Sequence, residues 1–430
     1  MMNIKHNTIK KLWYEADSHI HMPEEVRRRI YAENGFDFSS ELCRDATLAD
    51  LDKKAITVFR KTWAAYSGNN RIETLSVEQL LHDCGAIIDD CITYAALILF
   101  GTQKAVKKYL PRAEVIFEYR SSEASGPAAQ REEFTEGFFN YYDRIWKLVN
   151  LRNDKQHYQD GLFMFWINTF NERVVREALL NAISHRDYQL AGSVFLRQYR
   201  DKLVVESPGG FPYGITVDNI LDRQSPRNLL IAKIFQLCGL VERSGQGMNL
   251  IYELAVREAK PLPDFSGSDA YFVRLTLNGQ VIDKRMLAMF KKIGDERLEK
   301  MTTEDYILLS KLFSNKKLDD MRPERFVHLA ELGIVEQTVI GIKLANGIKL
   351  ANGESLSVAN RSLSVAATDR KQAVIDFLKN NGGAKTLDLI KVVDLSDGRV
   401  RALLREMVND GMIEKVGDKR YTNYRLKEKE

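Results

Sequence analysis

The sequence Arg176-Glu-Ala-Leu-Leu-Asn-Ala-Ile-Ser-His-Arg-Asp-Tyr188 decides how the centre of this 430-residue chain folds. Its apolar residues recur at helical spacing, which predicts an amphipathic helix with one buried stripe. Glu177 and Asn181 are four residues apart and therefore lie one turn apart on the same helix face. A carboxylate can accept a proton from water, and an amide oxygen is a hard ligand that suits Mg²⁺. The pair alone predicts either a metal site with an activated water beside it or an ordinary solvated helix face.

The residues after this helix present further ligand-binding features in a fixed order. Residues 193–206 read as two β runs joined by a polar turn, and the loop Ser207-Pro-Gly-Gly-Phe-Pro212 follows directly. The glycines of this loop permit a close approach of the backbone to a ligand. Residues 229–240 read as a helix, and Glu242-Arg-Ser-Gly-Gln-Gly-Met248 opens another helix at 249–257. A glycine-rich turn at a helix N-terminus presents free N–H groups and the positive end of the helix dipole, which suits phosphate.

This ordered set of features resembles the GHKL (Bergerat-fold) ATPases, which include the type II topoisomerase ATPase domain, MutL and histidine kinases. It is most similar to bacterial Schlafen/AlbA-type transcriptional regulators that are often labelled RecG-related. The resemblance covers roughly residues 40–280, and its specific parts are Arg176–Tyr188 and Glu242–Asn249. It implies ATP and Mg²⁺ as cofactors, Glu177 as the general base and Asn181 as the Mg²⁺ ligand.

The resemblance also implies which residues surround the nucleotide. Ser207, Gly209 and Gly210 would form the adenine-side loop, and Gly245 and Gly247 would lie at the phosphates. GHKL enzymes place an aspartate at the start of the first glycine loop, whereas this chain has Ser207 there. A serine can accept a hydrogen bond but carries no charge. Nucleotide binding is the expectation that follows, and the substitution leaves adenine selectivity open.

Two further parts of this region allow alternative interpretations. His185 or Arg186 could contact the γ-phosphate, or residues 185–188 could be structural parts of the helix end. We count Arg186 among the candidate nucleotide contacts. Asn228 is interpreted as the border of the nucleotide site, the alternative being that it only starts the next helix.

The composition is that of an ordinary globular protein. Hydrophobic residues make up 44% of the chain, and the net charge of +4 arises from 63 basic and 59 acidic residues. This balance excludes an overall polyanion-binding surface, so any nucleic-acid contact must be local. The four cysteines show no metal-ligand spacing and indicate reduced thiols in a cytoplasmic protein. No apolar run reaches ~18 residues, so we expect no transmembrane helix and no membrane partner.

We expect an α+β protein of four parts. Residues 1–105 would be a helical segment, the remnant and linker of an AlbA-type region whose main module is missing from this chain. Residues 106–282 would form the GHKL-like ATP-binding sandwich, with helices over one face of a mixed sheet. Residues 283–360 would be a helical, winged-helix-like connector, and residues 370–430 a winged helix-turn-helix.

The C-terminal part carries the strongest signal for DNA. Three helices at 372–378, 386–393 and 397–409 precede a β wing whose tip is at Gly417-Asp418. Basic side chains lie on the third helix and on the wing, where they suit phosphates and guanine edges: Arg399, Arg401, Arg405, Lys415, Lys419 and Arg420. Double-stranded DNA is therefore the expected partner, and the alternative is a winged helix that serves dimerisation or protein docking.

These observations favour an ATP-binding transcriptional regulator that acts as a homodimer. Two alternatives remain: a slow Mg-dependent ATPase in which Glu177 activates water, and a degenerate scaffold that no longer binds nucleotide. A helicase is disfavoured because the sequence contains no Gly-x-x-x-x-Gly-Lys-Ser/Thr phosphate loop.

Overall fold

The chain divides into two compact units, residues 1–284 and residues 285–430, and each is described by itself. The computed structural model describes residues 36–124, 126–160, 163–223, 225–241, 246–313, 323–338, 341–345, 357–359, 371, 374–379, 381–393, 397–417 and 423–427. Within these residues no helix is both long and apolar enough to cross a membrane.

The first part of unit 1 is helical, as the sequence predicts. Its elements are α1 (Lys53–Ser67), α2 (Arg71–Thr74), α3 (Val77–Asp83), the short hairpin of β1 (Ile87–Ile88) and β2 (Cys91–Ile92), α4 (Tyr94–Phe100) and α5 (Gln103–Tyr109). The side chain of Asp52 caps α1, and that of Ser76 caps α3. The apolar helix α4 is buried from Ala95 to Phe100 and packs against α1. Phe59 of α1 and Phe100 of α4 also contact Phe139, so the core of this helical part continues into the rest of unit 1.

A five-stranded sheet forms the centre of unit 1. Its strand order is β4 (Gln130–Phe134), β3 (Val115–Tyr119), β7 (Val194–Gln198), β8 (Lys202–Pro208) and β9 (Phe272–Asn278). Strands β3 and β7 are parallel, and the other three neighbouring pairs are antiparallel. The mixed sheet and the helices beside it confirm the predicted α+β class.

One helix connects the layers of this unit. Helix α7 (Glu172–His185) packs against β8 and against the helices α6 (Phe138–Asn150), α8 (Leu229–Leu237) and α9 (Gly247–Arg257). Its buried residues are those of the predicted apolar stripe together with Glu177 and Ser184. The amphipathic pattern thus positions α7 over the sheet, as expected from helical periodicity.

Three strands were not expected from the sequence. The sequence pattern predicts a loop at 121–130 and a helix over 132–155, but the structure has β4 at Gln130–Phe134 and a helix that begins only at Phe138. Strands β5 (Lys155–Asp160) and β6 (Phe163–Asn168) form a separate antiparallel hairpin. β4 and β5 are rich in polar residues, so they lack the apolar alternation by which strands are recognised.

Alternating charges cross the face of the sheet that α7 does not cover, and we call them the outer ladder: Arg131, Glu118, Arg197, Glu206 and Arg274. Arg131 Nη1 lies 2.6 Å from Glu118 Oε1, and Arg197 Nε lies 3.2 Å from Glu118 Oε2. Arg197 and Arg274 both pair with Glu206. The ladder links all five strands through side chains, each pair joining neighbouring strands.

Glu118 is the most buried member of the outer ladder, at 3% exposure. Burial by itself raises the pKa of Glu118, but the hydrogen bond and charge of Arg120, with the charge of Arg197, outweigh it and lower the pKa below the ordinary value. A lowered pKa in the folded state stabilises the fold above the unfolded pKa of about 4.5, and this stabilisation is lost as the pH falls through the folded pKa.

We predict that Glu118→Gln lowers the free energy of unfolding at pH 7 by about 2–3 kcal/mol, because it leaves the partly buried guanidinium groups of Arg120 and Arg197 without the Glu118 carboxylate. Glu133→Gln is the matched control, since it removes an exposed carboxylate that pairs with Arg131 on the same face. This control should cost about 0.5 kcal/mol or less. Urea unfolding of both variants measures the difference, and equal losses would contradict the role given to Glu118.

The first part of unit 2 is mainly helical. Its helices are α10 (Lys284–Ile293), which begins at the boundary of the units, α11 (Asp295–Leu298), α12 (Thr303–Phe313) and α13 (Pro323–Glu331). A three-stranded sheet follows, of β10 (Val335–Thr338), β11 (Gly341–Leu344) and β12 (Ser357–Ala359). Helices α12 and α13 pack together and precede this antiparallel sheet, and the winged-helix-like character expected of residues 283–360 stays a prediction.

The last part of unit 2 has the predicted winged helix-turn-helix elements. They are a helix at 374–379, α14 (Thr386–Val393), α15 (Asp397–Asn409), and the wing strands β13 (Ile413–Val416) and β14 (Asn423–Leu426). One hydrophobic core joins them, centred on Leu389, Leu404 and Met407. The tip of the predicted wing at Asp418 lies outside the described residues.

Candidate functional site

A cavity of about 160 Å³ lies between α7, the end of β8 and the start of α9. Most of its wall is apolar, with side chains that include Phe211, Ile215, Ile220, Phe265, Val273 and Leu275. Polar side chains also line it: Glu177, Asn181, Ser184, His185, Ser207, Arg223, Ser225 and Gln236. Its volume is below the roughly 300–1,000 Å³ of sites that bury a drug-sized ligand, so it would enclose only part of a nucleotide. An apolar enclosure with a few polar groups is the usual form of a small-molecule site.

The predicted pair Glu177 and Asn181 meets the predicted glycine turn at one end of this cavity. Asn181 Nδ2 donates a hydrogen bond to Glu177 Oε1 at 3.0 Å, so the two side chains hold each other on one face of α7. A Cβ atom added at Gly247 would lie 1.7 Å from Glu177 Oε1. Only glycine therefore allows the first turn of α9 to come this close to the carboxylate. The N-terminus of α9 and the side chains of Glu177 and Asn181 therefore lie together at one end of the cavity.

The cavity runs along α7 from this end towards the helix C-terminus. Met248 Sδ lies 3.9 Å from Asn181 Nδ2, and Ser207 Oγ donates to Ala182 O at 2.8 Å. His185, one turn beyond Asn181, lines the cavity near its other end. Glu177, Asn181 and His185 thus form a line with a spacing of four residues along one helix face.

The glycine loop after β8 forms the wall near His185. Gly209 has φ +93°, and a Cβ atom there would lie 2.6 Å from Asp187 Cβ. A Cβ atom on Gly210 would lie 2.5 Å from Asp269 O. Both glycines are therefore required by close packing of the loop against neighbouring backbone, and both line the cavity together with Ser207.

Arg186 does not line the cavity, contrary to its interpretation as a nucleotide contact. Its side chain is 1% exposed and donates through Nη2 to Arg112 O and, at 2.8 Å, to Gly192 O. The guanidinium also lies over the ring of Tyr188. These contacts favour the structural interpretation of Arg186, in which the side chain anchors the end of α7 to neighbouring loops.

Asn228 is also placed away from the cavity wall. It is fully buried, and Nδ2 donates to Ser184 O at 2.9 Å and to Arg186 O at 2.8 Å. The amide therefore caps the last carbonyl groups of α7 instead of bordering a ligand. The expectation that Asn228 borders the nucleotide is corrected by this arrangement.

An ion pair holds the same region together. Arg227 Nη1 lies 2.9 Å from Asp187 Oδ2, and Arg227 Nη2 donates to Gly210 O at 3.0 Å. Asp187 N donates to Pro208 O at 2.8 Å. We call Asp187, Arg227 and Asn228 the helix-end clamp, because together they fix the end of α7 to the glycine loop and to the start of α8.

His185 is kept neutral by its surroundings. Desolvation by burial, with a smaller contribution from the positive charge of Arg227, lowers the pKa of His185 from 6.5 to about 4. At neutral pH its imidazole therefore presents one hydrogen-bond donor and one acceptor to its surroundings, and no charge.

The donor set at the Glu177 end suits a magnesium ion that is bound mainly by a ligand. Within the described residues no group of three or more His, Cys, Asp or Glu side chains could hold a metal. One carboxylate and one amide oxygen are few protein ligands, but Mg²⁺ commonly uses one or two of them and takes the rest from water and phosphates. The residues present therefore fit Mg²⁺ only as part of a metal–nucleotide complex.

The structure describes only part of the glycine turn before α9 and of the predicted DNA-binding face. Gly245, Lys419 and Arg420 lie outside the described residues, as does the side chain of Arg399. Arg401 and Arg405 are exposed on α15, and Lys415 is exposed on β13. These three cations stand on the recognition helix and the wing, where sequence reasoning placed them.

Several cavity residues were not anticipated from the sequence. Met248, Gln236 and Arg223 line the cavity from three separate segments. Phe265 and Leu275 lie more than fifty residues beyond the glycine loop, and the sequence pattern there predicts only a β strand at 271–277 that closes the sheet. Their apolar character was visible, but nothing in it distinguishes a cavity wall from a core.

Three family models match separate parts of the chain. Residues 192–277 match "Putative ATP-dependent DNA helicase recG C-terminal", and residues 368–414 match "Winged helix-turn-helix DNA-binding". The chain carries a RecG C-terminal-like ATPase-type domain and a winged helix. Residues 28–116 match a model described as a domain of unknown function.

The chain is similar in fold to a solved structure. The DIP2311 protein from Corynebacterium diphtheriae superposes with a TM-score of 0.59 at 21% sequence identity, covering 94% of this chain and 73% of that one. At this identity the similarity shows the fold alone. A comparison with proteins of curated function finds no match.

In the His185→Phe variant, the free energy of unfolding of the ATPase-type domain should decrease less than in the wild type as the pH becomes mildly acidic. The unfolded chain binds a proton near pH 6.5 and the folded chain only near pH 4, so the wild type loses stability as the pH falls through this window. The loss attributable to His185 is about 3 kcal/mol or less. Urea unfolding between pH 7 and pH 4.5 measures it, with exposed His157→Phe as the control. Parallel profiles for wild type and His185→Phe would contradict a partly buried imidazole that is neutral in the folded state.

Proposed function

We propose that the ATPase-type domain binds ATP with Mg²⁺ in the α7 cavity and that the winged helix binds double-stranded DNA. The protein would then be an ATP-binding transcriptional regulator of the cytoplasm. The observation that carries the nucleotide proposal is the meeting of Glu177 and Asn181 with the glycine start of α9, at one end of an apolar cavity. This combines metal-type ligands, backbone donors and an apolar enclosure in one site.

Each part of the cavity has a role in this proposal. The apolar wall around Ser207 and Val273 would enclose the base, and the first turn of α9 at Gly247 would face the phosphates. Asn181 donates through Nδ2 to Glu177. This hydrogen bond leaves the carbonyl oxygen of Asn181 to serve as the metal ligand. When bound, Mg²⁺ supplies positive charge that offsets the phosphates beside the Glu177 carboxylate.

Calorimetric titration of MgATP into the full chain tests the nucleotide site. We expect micromolar binding, and we expect Asn181→Ala to weaken it at least tenfold because the metal ligand and the hydrogen bond that orients Glu177 are both lost. Asn228→Ala is not a suitable control, since it would loosen the helix-end clamp. Gln79→Ala, an exposed amide outside the cavity, should leave binding unchanged. No heat and no thermal shift at millimolar MgATP would reject the nucleotide proposal.

Slow ATP hydrolysis is a second candidate, favoured by the placement of Glu177. Its carboxylate is buried and oriented by Asn181, which is the arrangement that a general base requires. Glu177→Gln keeps the shape of the side chain and removes its basicity. If hydrolysis occurs, this variant should retain MgATP binding and lose phosphate release by about 100-fold or more. Equal rates of phosphate release by the wild type and Glu177→Gln would contradict hydrolysis that depends on Glu177, and the protein would remain a nucleotide-binding regulator.

The winged helix supports DNA binding through local charge. Its recognition helix exposes Arg401 and Arg405, and the wing exposes Lys415. Lys371 pairs with Glu406 of the same helix and with Asp410 just beyond it. A homodimer would present two such helices to a palindromic site, as helix-turn-helix proteins do.

We predict that the double variant Arg405→Ala/Lys415→Ala weakens binding to double-stranded DNA and reduces the slope of log affinity against log salt by about 1–2. Lys379→Ala is the control, because it removes an exposed positive charge from the first helix of the same domain. Fluorescence anisotropy at several salt concentrations measures both quantities. If the double variant and Lys379→Ala change the slope of log affinity against log salt equally, DNA binding depends on non-specific charge and not on the recognition helix and wing.

A further inference from the structure

We propose that His185 contacts the base of the bound nucleotide and sets the preference of the site among bases. This inference rests on the proposed nucleotide binding and names a specificity residue within that site. It replaces both interpretations of His185 that the sequence leaves open, since it places this side chain neither at the phosphates nor in a purely structural role.

The position of His185 along the cavity separates it from the phosphate end. Eight residues separate Glu177 from His185 on α7, which is about 12 Å at 1.5 Å per residue. Gly247 lies against Glu177, and Met248 lies beside Asn181, so the start of α9 occupies the first half of this length. His185 faces the second half, where Gly209 and Gly210 form the wall. A ligand whose phosphates meet the start of α9 would present its base there.

The imidazole of His185 lines the cavity while its polar neighbours have other partners. Ser184 Oγ donates to Leu180 O, and Asn228 Nδ2 donates to backbone carbonyls. Arg227, the cation whose charge acts on His185, pairs with Asp187 and with Gly210 O. Within the described part of the chain, the ring nitrogens of His185 have no hydrogen-bond partner, and the side chain borders the cavity.

The chemistry of His185 suits a base better than a phosphate. A neutral imidazole offers a donor on one nitrogen and an acceptor on the other, which can pair with the edge of a nucleobase. It offers no charge to a phosphate, and burial beside Arg227 opposes its protonation. Arg223, which also lines the cavity, carries the positive charge that His185 lacks.

The test compares the affinities of wild type and His185→Phe for MgATP, MgGTP and MgITP by calorimetry. These probes share their sugar and phosphates and differ only in the base. Phenylalanine keeps an aromatic ring in place and removes both hydrogen-bonding nitrogens. We expect the wild type to discriminate among the three, and we expect the variant to shift the affinity ratios by about 3- to 10-fold, the effect of one hydrogen bond.

Asn181→Ala is the matched control on the same helix face, one turn away. It should weaken all three nucleotides by a similar factor and leave their ratios unchanged, because the metal–phosphate part of the ligand is common to them. His185→Asn, which keeps a donor and an acceptor, provides a second variant if His185→Phe does not fold, as judged by thermal unfolding. It too should shift the ratios.

The outcomes separate this inference from the proposed function. If the wild type binds none of the three nucleotides, the proposed function fails and the inference fails with it. If it binds all three without discrimination, or if the His185 variants weaken them by one common factor, nucleotide binding stands and His185 is not the base-selecting residue. Altered ratios in the His185 variants with constant ratios in Asn181→Ala would establish the assignment.

Discussion

The helix-end clamp is the constraint on which the rest of the ATPase-type domain depends. Asp187, Arg227 and Asn228 join three segments that are distant in sequence: the end of α7, the glycine loop after β8 and the start of α8. Because the ion pair is largely buried, loss of one partner would leave a charge without compensation in the interior. The clamp therefore holds the two glycines against α7, and that contact shapes one end of the cavity.

The position of α7 follows from this constraint and in turn determines the chemistry of the cavity. One face of α7 carries a carboxylate, an amide and a neutral imidazole at intervals of four residues. Because α9 begins against the carboxylate, the backbone donors and the metal-type ligands coincide at one end. The imidazole is left at the other end, among apolar and glycine residues. A regular helix thereby separates a charged from an uncharged part of one cavity.

The sequence predicted those parts of the site that depend on local pattern. The periodicity of residues 175–183 defined the face of α7, and the spacing of Glu177 and Asn181 placed both side chains in the cavity. It could not distinguish Arg186 and Asn228 from ligand contacts, because a buried guanidinium or amide can equally serve a backbone carbonyl, and tertiary packing decides which it meets. The strand β4 was missed for a similar reason. Its Gln-Arg-Glu-Glu-Phe sequence has no apolar alternation, and its pairing is supported by the salt bridge from Arg131 to Glu118 across the sheet.

The end of α7 also carries polar groups whose burial is costly. Nε and Nη1 of Arg186 and Oδ1 of Asn228 are buried with no hydrogen-bond partner among the described residues. Each such group costs roughly 1–3 kcal/mol, so a fold selected for stability alone would favour smaller apolar side chains at these positions. Sequences that keep such costs commonly do so where a site requires a fixed geometry. Within the described residues, atoms of this kind also occur in Asn140, Gln198 and Asp305, but three of them belong to the two residues Arg186 and Asn228 at the end of α7. This concentration argues that the end of α7 is built to hold its geometry rigid.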